Sequence, residues 1–292
     1  MSAAAAPGQD HYYVPHGTHW PIIGSIGLTL LLGGFATYLN GIGFGAVASV
    51  VGIALLVGMM VGWFGTVIRE SESGTYQAWE DRSFRMGMGW FIFSEVMFFA
   101  AFFGALFYAR IYSVPWLGGA GHGAATHMVL HNAFSAIWPT NGPANVGGNF
   151  EAMAAWGIPA LNTAILLSSG VTVTLAHWAL KQNKRTALVV FLCATWALGL
   201  WFVCMQGLEY HEAYTHMNMT LGSGIYGSTF FMLTGFHGFH VTMGAIMLMV
   251  ITLRAIRGHF TPEHHFAFEA VAWYWHFVDV VWLGLFIFVY WL

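Results

Sequence analysis

The sequence predicts an all-α integral membrane protein with seven transmembrane helices. Two observations carry that prediction. Apolar residues make up 58% of the chain and charged residues only 7%, against roughly 25% charged in a soluble domain. The chain also holds stretches of about twenty apolar residues, each long enough to cross a bilayer core as a helix at 1.5 Å per residue. An odd number of spans finds separate support in the basic residues: eight of the nine Lys and Arg fall on one side of the seven-span pattern, leaving only Arg110 on the other. By the positive-inside rule the N-terminus is expected to be cytoplasmic and the C-terminus outside.

Residues 1–19 read as a polar tail with four alanines, two prolines and three histidines, expected to be mobile or surface-lying, and no secretory leader is recognisable in them. Span one runs from about Pro21 to Tyr38 and a Gly-rich turn follows at once. Span two runs from about Phe44 to Val67 and holds Gly58 and Gly62 at the GxxxG spacing that favours close helix packing. The segment Arg69 to Arg85 reads as the first charged loop. Span three is Gly87 to Tyr108. A long connection, 113–156, is rich in Gly, Pro and Asn, and its apolar piece around Met128 to Trp138 is too short to cross and is expected to lie along the interface. Spans four to seven follow at about Ile158–Leu180, Ala187–Tyr210, Tyr226–Ile256 and Phe266–Leu292.

Span three holds the most informative residue. Glu95 lies near its middle, and a carboxyl at membrane depth is kept where something uses or neutralises it. Helical spacing puts Phe91, Ile92, Phe98, Phe99 and Phe102 on or beside its face. Ala100, Ala101, Gly104 and Ala105 fall roughly opposite, where small residues allow another helix backbone to come close. Glu95 is therefore expected in an aromatic-lined groove, either as part of a proton- or lipid-facing site or as a protonated acid bonded to a nearby carbonyl or hydroxyl.

The fifteen histidines raise the question of haem or metal. His237 and His240 lie in span six, and His276 lies in span seven, three residues before Asp279. The flanking Gly235, Gly238 and Gly244 favour tight helix packing around the first two. His276 and Asp279 share a face, where a His–carboxylate bond would satisfy both. Metal ligation is the less favoured reading. Arg69, Arg254, Arg257 and His259 sit near the expected cytoplasmic interface, where they suit either lipid phosphates or ordinary topology. Cys193 and Cys204 share a face but are about 16 Å apart along a helix, too far to bridge. The net charge of −3 gives no reason to expect nucleic acid. No repeat, strand alternation, phosphate-binding loop or nucleophile motif is visible.

Several motifs, in order, resemble subunit III of the haem–copper oxidases. They are VIRES (Val67–Ser71), FSEVMFF (Phe93–Phe99), LNT (Leu161–Thr163), SSGV (Ser168–Val171), QGLEY (Gln206–Tyr210), YGSTFF (Tyr226–Phe231), GFHGFHV (Gly235–Val241), HHFAFE (His264–Glu269) and WYWHFVDVVW (Trp273–Trp282). Seven spans resemble the cytochrome c oxidase form, and the quinol oxidase homologue is typically shorter, with five. The long loop and the His-bearing tail resemble bacterial, alphaproteobacterial versions. The resemblance implies two bundles, helices 1–2 (residues 20–67) and helices 3–7 (residues 68–292), with a V-shaped, phospholipid-filled cleft between them.

It further implies a non-catalytic subunit that binds no haem or copper itself and contacts the redox-active subunit I, with subunit II and small subunits in the complex. The site residues it implies are Glu95, matching the family's carbodiimide-reactive glutamate, and the lipid-contacting Trp63, Phe64, Glu70, Arg254 and His259. The implied home is a bacterial inner membrane, with membership of a respiratory supercomplex as a further expectation. The implied role is to keep proton uptake fast and to protect subunit I during turnover. A quinol oxidase subunit and a self-contained transporter are the alternatives. A b-type haem protein using His237, His240 or His276 is a third class.

Overall fold

The computed structural model describes residues 17–292; of the tail expected at 1–19, residues 1–16 lie outside the described residues. Among the described residues the regular structure is all helical, with no strand. The helices are α1 (Trp20–Leu39), α2 (Phe44–Glu72), α3 (Ala78–Tyr108), the short α4 (Val114–Leu117) and α5 (Ala124–Leu130), then α6 (Ile158–Lys181), α7 (Arg185–Thr215), α8 (Gly224–Arg257) and α9 (Phe266–Leu285). Seven of them, all but α4 and α5, are long and apolar enough to cross a membrane. The chain divides into two compact units, Met1–Phe84 and Arg85–Leu292, with the division inside α3.

In the first unit α1 and α2 form an antiparallel hairpin, turned at Gly41 with φ +81°, a left-handed conformation that favours glycine. The two backbones nearly touch. A Cβ built on Gly45 falls 2.4 Å from the Gly34 carbonyl oxygen, and one on Gly52 falls 2.4 Å from the Leu31 nitrogen. Ser49 Oγ donates to the Leu31 carbonyl at 3.2 Å, tying the helices where they are closest. The expected Gly58–Gly62 pair does not make this contact. Gly58 faces open space, and Gly62 instead leaves room for the Trp20 ring. Close approach is set by Gly45 and Gly52, seven apart, because two turns of helix return to nearly the same face.

The segment Arg69 to Arg85 is a correction to the expected loop. Helix α2 runs through Glu72 and α3 begins at Ala78, leaving only residues 73–77 as a turn. Acidic residues in the first turn, Glu80 and Asp81, complement the positive end of the α3 dipole. A Glu80 carboxylate oxygen also accepts the Gln77 backbone N–H at 2.9 Å, satisfying one of the donors left open at a helix start. Charge did not end these helices, because their ends can be capped by that same charge.

In the second unit α6 packs on α7, α7 on α8, α8 on α9, and α9 back on α6. The C-terminal helix locks this ring. Trp275 is fully buried, and a Cβ on Gly199 of α7 or on Gly244 of α8 would fall 2.5 or 2.7 Å from its ring. Its indole N–H donates to Ser169 Oγ of α6 at 2.9 Å. Two turns on, Trp282 donates to Thr163 Oγ1 of α6 at 2.9 Å and meets Phe202 edge-on at 4.7 Å.

Helix α3 lies against this ring through long side chains. Phe91 stacks on Tyr274, Phe98 meets Phe236 edge-on, and Phe103 meets Phe288. The expected close packing through Ala100, Ala101, Gly104 and Ala105 does not occur within this chain: these four residues are exposed, and a Cβ on Gly104 would meet nothing within 4 Å. Aromatic bulk on one face holds α3 to its neighbours and leaves the small face outward.

The long connection 113–156 is folded onto the start of α8. The Asn218 side-chain amide donates to the carbonyls of Gly147 and Asn149. Phe150 stacks on Tyr226 with ring centres 5.4 Å apart. Met128, Val129 and Leu130 remain exposed on the short helix α5.

Gly52→Val pushes a branched side chain into the Leu31 backbone, and overpacking of this kind costs about 1–3 kcal/mol. Gly58→Ala enters open space and is expected to leave stability unchanged or slightly raised. Thermal unfolding of both variants in mild detergent checks the difference.

Candidate functional site: acids at membrane depth

Glu95 meets a histidine. Helix α3 presents its carboxyl to α8, and Glu95 Oε2 lies 3.0 Å from His240 Nε2. His240 Nδ1 lies 2.6 Å from the Phe236 carbonyl oxygen, one turn back on α8. A carbonyl only accepts, so Nδ1 carries a hydrogen and donates to it. The neutral imidazole therefore turns an acceptor, Nε2, toward Glu95, and the contact requires a proton between them. Either the carboxylic acid donates to the imidazole, or an imidazolium donates to the carboxylate. The Phe98 and Phe99 rings pack against His240 at 5.9 and 5.0 Å, and the Tyr274 hydroxyl reaches the His240 carbonyl at 3.4 Å.

Two further acids are buried in the same unit. Asp279 on α9 is 6% exposed and lies 3.7 Å from His276 Nδ1, too long for a direct hydrogen bond. His276 is exposed and its Nε2 lies 3.4 Å from Thr174 Oγ1 on α6. Both residues line a groove of about 420 Å³ between α6 and α9, walled by Leu167, Val171 and Leu283. Gly170 makes the groove possible, because a Cβ there would sit 2.4 Å from Asp279 Oδ2.

Glu209 on α7 is fully buried, and the Tyr290 hydroxyl donates to it at 2.6 Å. Sequence reading passed over it because it sits near the end of an apolar span. The signal was the motif QGLEY itself: Gln206 donates to the Thr234 carbonyl at 2.7 Å and the Tyr210 hydroxyl pairs with Thr234 Oγ1 at 2.7 Å. The motif is thus a polar seam between α7 and α8.

The other histidine singled out in α8, His237, is fully buried between Phe202 and Trp282, and its Nε2 lies 3.2 Å from the Val278 carbonyl. The imidazole cluster that the sequence did not bring together is His177, His265 and Glu269, where α6 meets the start of α9. Its geometry admits a metal ion.

The residues expected from the sequence to contact lipid stand in two groups. In the first unit Trp63 and Phe64 are exposed and stacked, and the Tyr76 hydroxyl donates to the Glu70 carboxylate at 2.5 Å. In the second unit Arg254 is 8% exposed with its guanidinium 4.7 Å from the centre of the Phe260 ring. The His259 backbone N–H donates to the Arg254 carbonyl at 3.1 Å.

Glu95→Gln keeps a donor for His240 Nε2 and is expected to change stability by less than about 1 kcal/mol. His240→Leu strips the carboxyl of its partner, at about 1–3 kcal/mol for an unsatisfied polar group. Unfolding of the detergent-solubilised variants distinguishes the two. No loss in either variant would show that the pair holds no structural bond.

Comparison with known proteins agrees with this architecture. The family model described as cytochrome c oxidase subunit III matches residues 10–292. The chain is similar to cytochrome c oxidase subunit 3 of Marchantia polymorpha, 42% identical over 273 residues, which cover 93% of this chain and 92% of that protein. It is likewise similar to cytochrome c oxidase subunit 3 of Gadus morhua, 40% identical over 284 residues and 96% of each chain. The counterpart in Danio rerio is 39% identical over 284 residues, again 96% of each. With seven membrane-length helices and a match over nearly its whole length, the chain belongs to the cytochrome c oxidase subunit III family.

Proposed function

We propose that this chain is the non-catalytic third core subunit of a proton-pumping, aa3-type cytochrome c oxidase in a bacterial inner membrane. The observation that carries the reading is the family match over residues 10–292. Subunit I is its main contact, with subunit II and small subunits completing the complex and electrons arriving from cytochrome c. Haem a and copper reside in those partners. The reading is supported by the engagement of its own α8 histidines: His237 faces the Val278 carbonyl, and His240 faces Glu95 and Phe236. The bacterial setting rests on the long loop and the His-bearing tail, and the cytoplasmic N-terminus and periplasmic C-terminus rest on the basic residues.

Within that role Glu95 and His240 hold one proton at membrane depth, and Asp279 with His276 forms a second polar point opening on an apolar groove. Both suit a subunit that sustains proton uptake by its partner. The outward small face of α3, Ala100 to Ala105, suits a partner helix. Trp63, Phe64 and Glu70 on one unit and Arg254 and His259 on the other hold phospholipid. Arginine suits phosphate because its fork of donors matches phosphate oxygens.

Affinity purification of the tagged chain from gently solubilised membranes tests the assignment. Co-purification of larger subunits with the visible bands of haem a supports it, and recovery of the chain alone in several mild detergents opposes it. Arg254→Gln is expected to lose bound phospholipid, measured by mass spectrometry of the complex, and to shorten its turnover lifetime. Unchanged lipid and lifetime would remove the lipid part of the proposal.

A further inference from the structure

Where the end of α6 meets the start of α9, three ligand atoms converge. His177 Nε2 and His265 Nε2 are 3.4 Å apart. Glu269 Oε1 lies 3.4 Å from the first and 3.2 Å from the second. The three atoms thus form a nearly equilateral triangle. Tetrahedral zinc with nitrogen and oxygen ligands at about 2.0–2.2 Å has ligand-to-ligand edges of roughly 3.3–3.5 Å, so the triangle has the size of one face of such a site.

The hydrogen-bond roles point the same way. His265 Nδ1 lies 3.1 Å from the Thr261 carbonyl oxygen, so it carries the hydrogen and leaves Nε2 as a lone pair facing the cluster. Metal-binding histidines are oriented by such a bond on the second nitrogen. Glu269 Oε1 is also an acceptor. Two acceptors 3.2 Å apart need a hydrogen or a cation between them: a proton on His265 Nε2 or on the carboxyl, or a metal ion that both lone pairs and His177 Nε2 ligate. The other oxygen of Glu269, Oε2, is bonded by Arg85, which fixes the carboxylate plane and leaves Oε1 aimed into the triangle. The side chains of His265 and Glu269 are 7% and 12% exposed, and that of His177 is 23% exposed.

From this geometry we propose that His177, His265 and Glu269 form a zinc-type divalent cation site joining α6 to the start of α9. Two imidazoles and one carboxylate favour zinc over magnesium or calcium, which prefer all-oxygen shells. With three protein ligands the fourth position goes to water. Arg85, and Lys181 one turn beyond His177 on α6, add positive charge nearby, so the ion is held reversibly. The site stands on this chain's own residues and is independent of the partner assignment above.

The test uses the intact complex containing the full chain, purified in mild detergent, stripped with a chelator and equilibrated with zinc alone. Zinc is counted per complex, and its ligands are read by X-ray absorption at the zinc edge. The wild type is expected to hold one zinc more than the His265→Gln complex, with affinity at least tenfold weaker in that variant. His177→Cys keeps three ligands and is expected to retain the zinc while adding a sulfur neighbour near 2.3 Å, the usual Zn–S length. A sulfur signal in that variant cannot come from a merely structural histidine. Equal zinc content in wild type and His265→Gln, or zinc in His177→Cys without sulfur, overturns the site.

Discussion

The larger unit depends on one constraint: every helix around α9 must leave room for its tryptophans. Trp275 and Trp282 stand seven residues apart on one face. Each donates its indole N–H to a hydroxyl of α6, at Ser169 and Thr163. Glycines on α7 and α8 make the space that Trp275 fills. In lipid the gain from burying apolar surface between helices is small, so close packing and satisfied hydrogen bonds must set the arrangement. A large ring with one polar handle supplies both. The bonds from α9 to α6 close the ring of four helices and carry the polar groups with it.

Those polar groups are acids that a membrane interior tolerates only when they are satisfied. Glu95 reaches across to His240 and Glu209 to Tyr290, each joining two elements distant in sequence. Asp279 opens instead on a groove with an exposed histidine at its rim. The first two contacts act as register marks, because sliding α3 or α7 by one turn would strand a carboxyl in hydrocarbon. The Glu95 contact has a further property. With Nδ1 of His240 committed to a carbonyl, the pair must hold a proton, whichever partner carries it. A bond that fixes helix position is thereby also a place to keep a proton.

Much of this was legible in the sequence, and the failures have common physical causes. Apolar length located every spanning helix, but helix ends were set short wherever charge appeared, as at Arg69–Arg85, since capping by Glu80 is a tertiary detail of the turn. Helical spacing correctly put aromatics beside Glu95. It also assigned the opposite small face to close packing, whereas within this chain Phe91, Phe98 and Phe103 make the contacts of α3 and the small face is left outward. The partner of Glu95 lies 145 residues away, and no local pattern links the two. The same holds for His177, which meets Glu269 only because α6 and α9 are neighbours. Gly58 and Gly62 matched a familiar spacing, but the helices touch at Gly45 and Gly52.

The role proposed for this chain is to serve an oxidase without carrying its redox groups. Selective removal of the chain from the purified complex tests that most directly, followed by visible spectra of both fractions and a count of turnovers before inactivation. The expected result is a colourless released chain, haem a bands retained by the remaining subunits, and a depleted complex that starts to turn over but inactivates after fewer cycles. Haem leaving with the released chain, or a depleted complex as long-lived as the intact one, would contradict it.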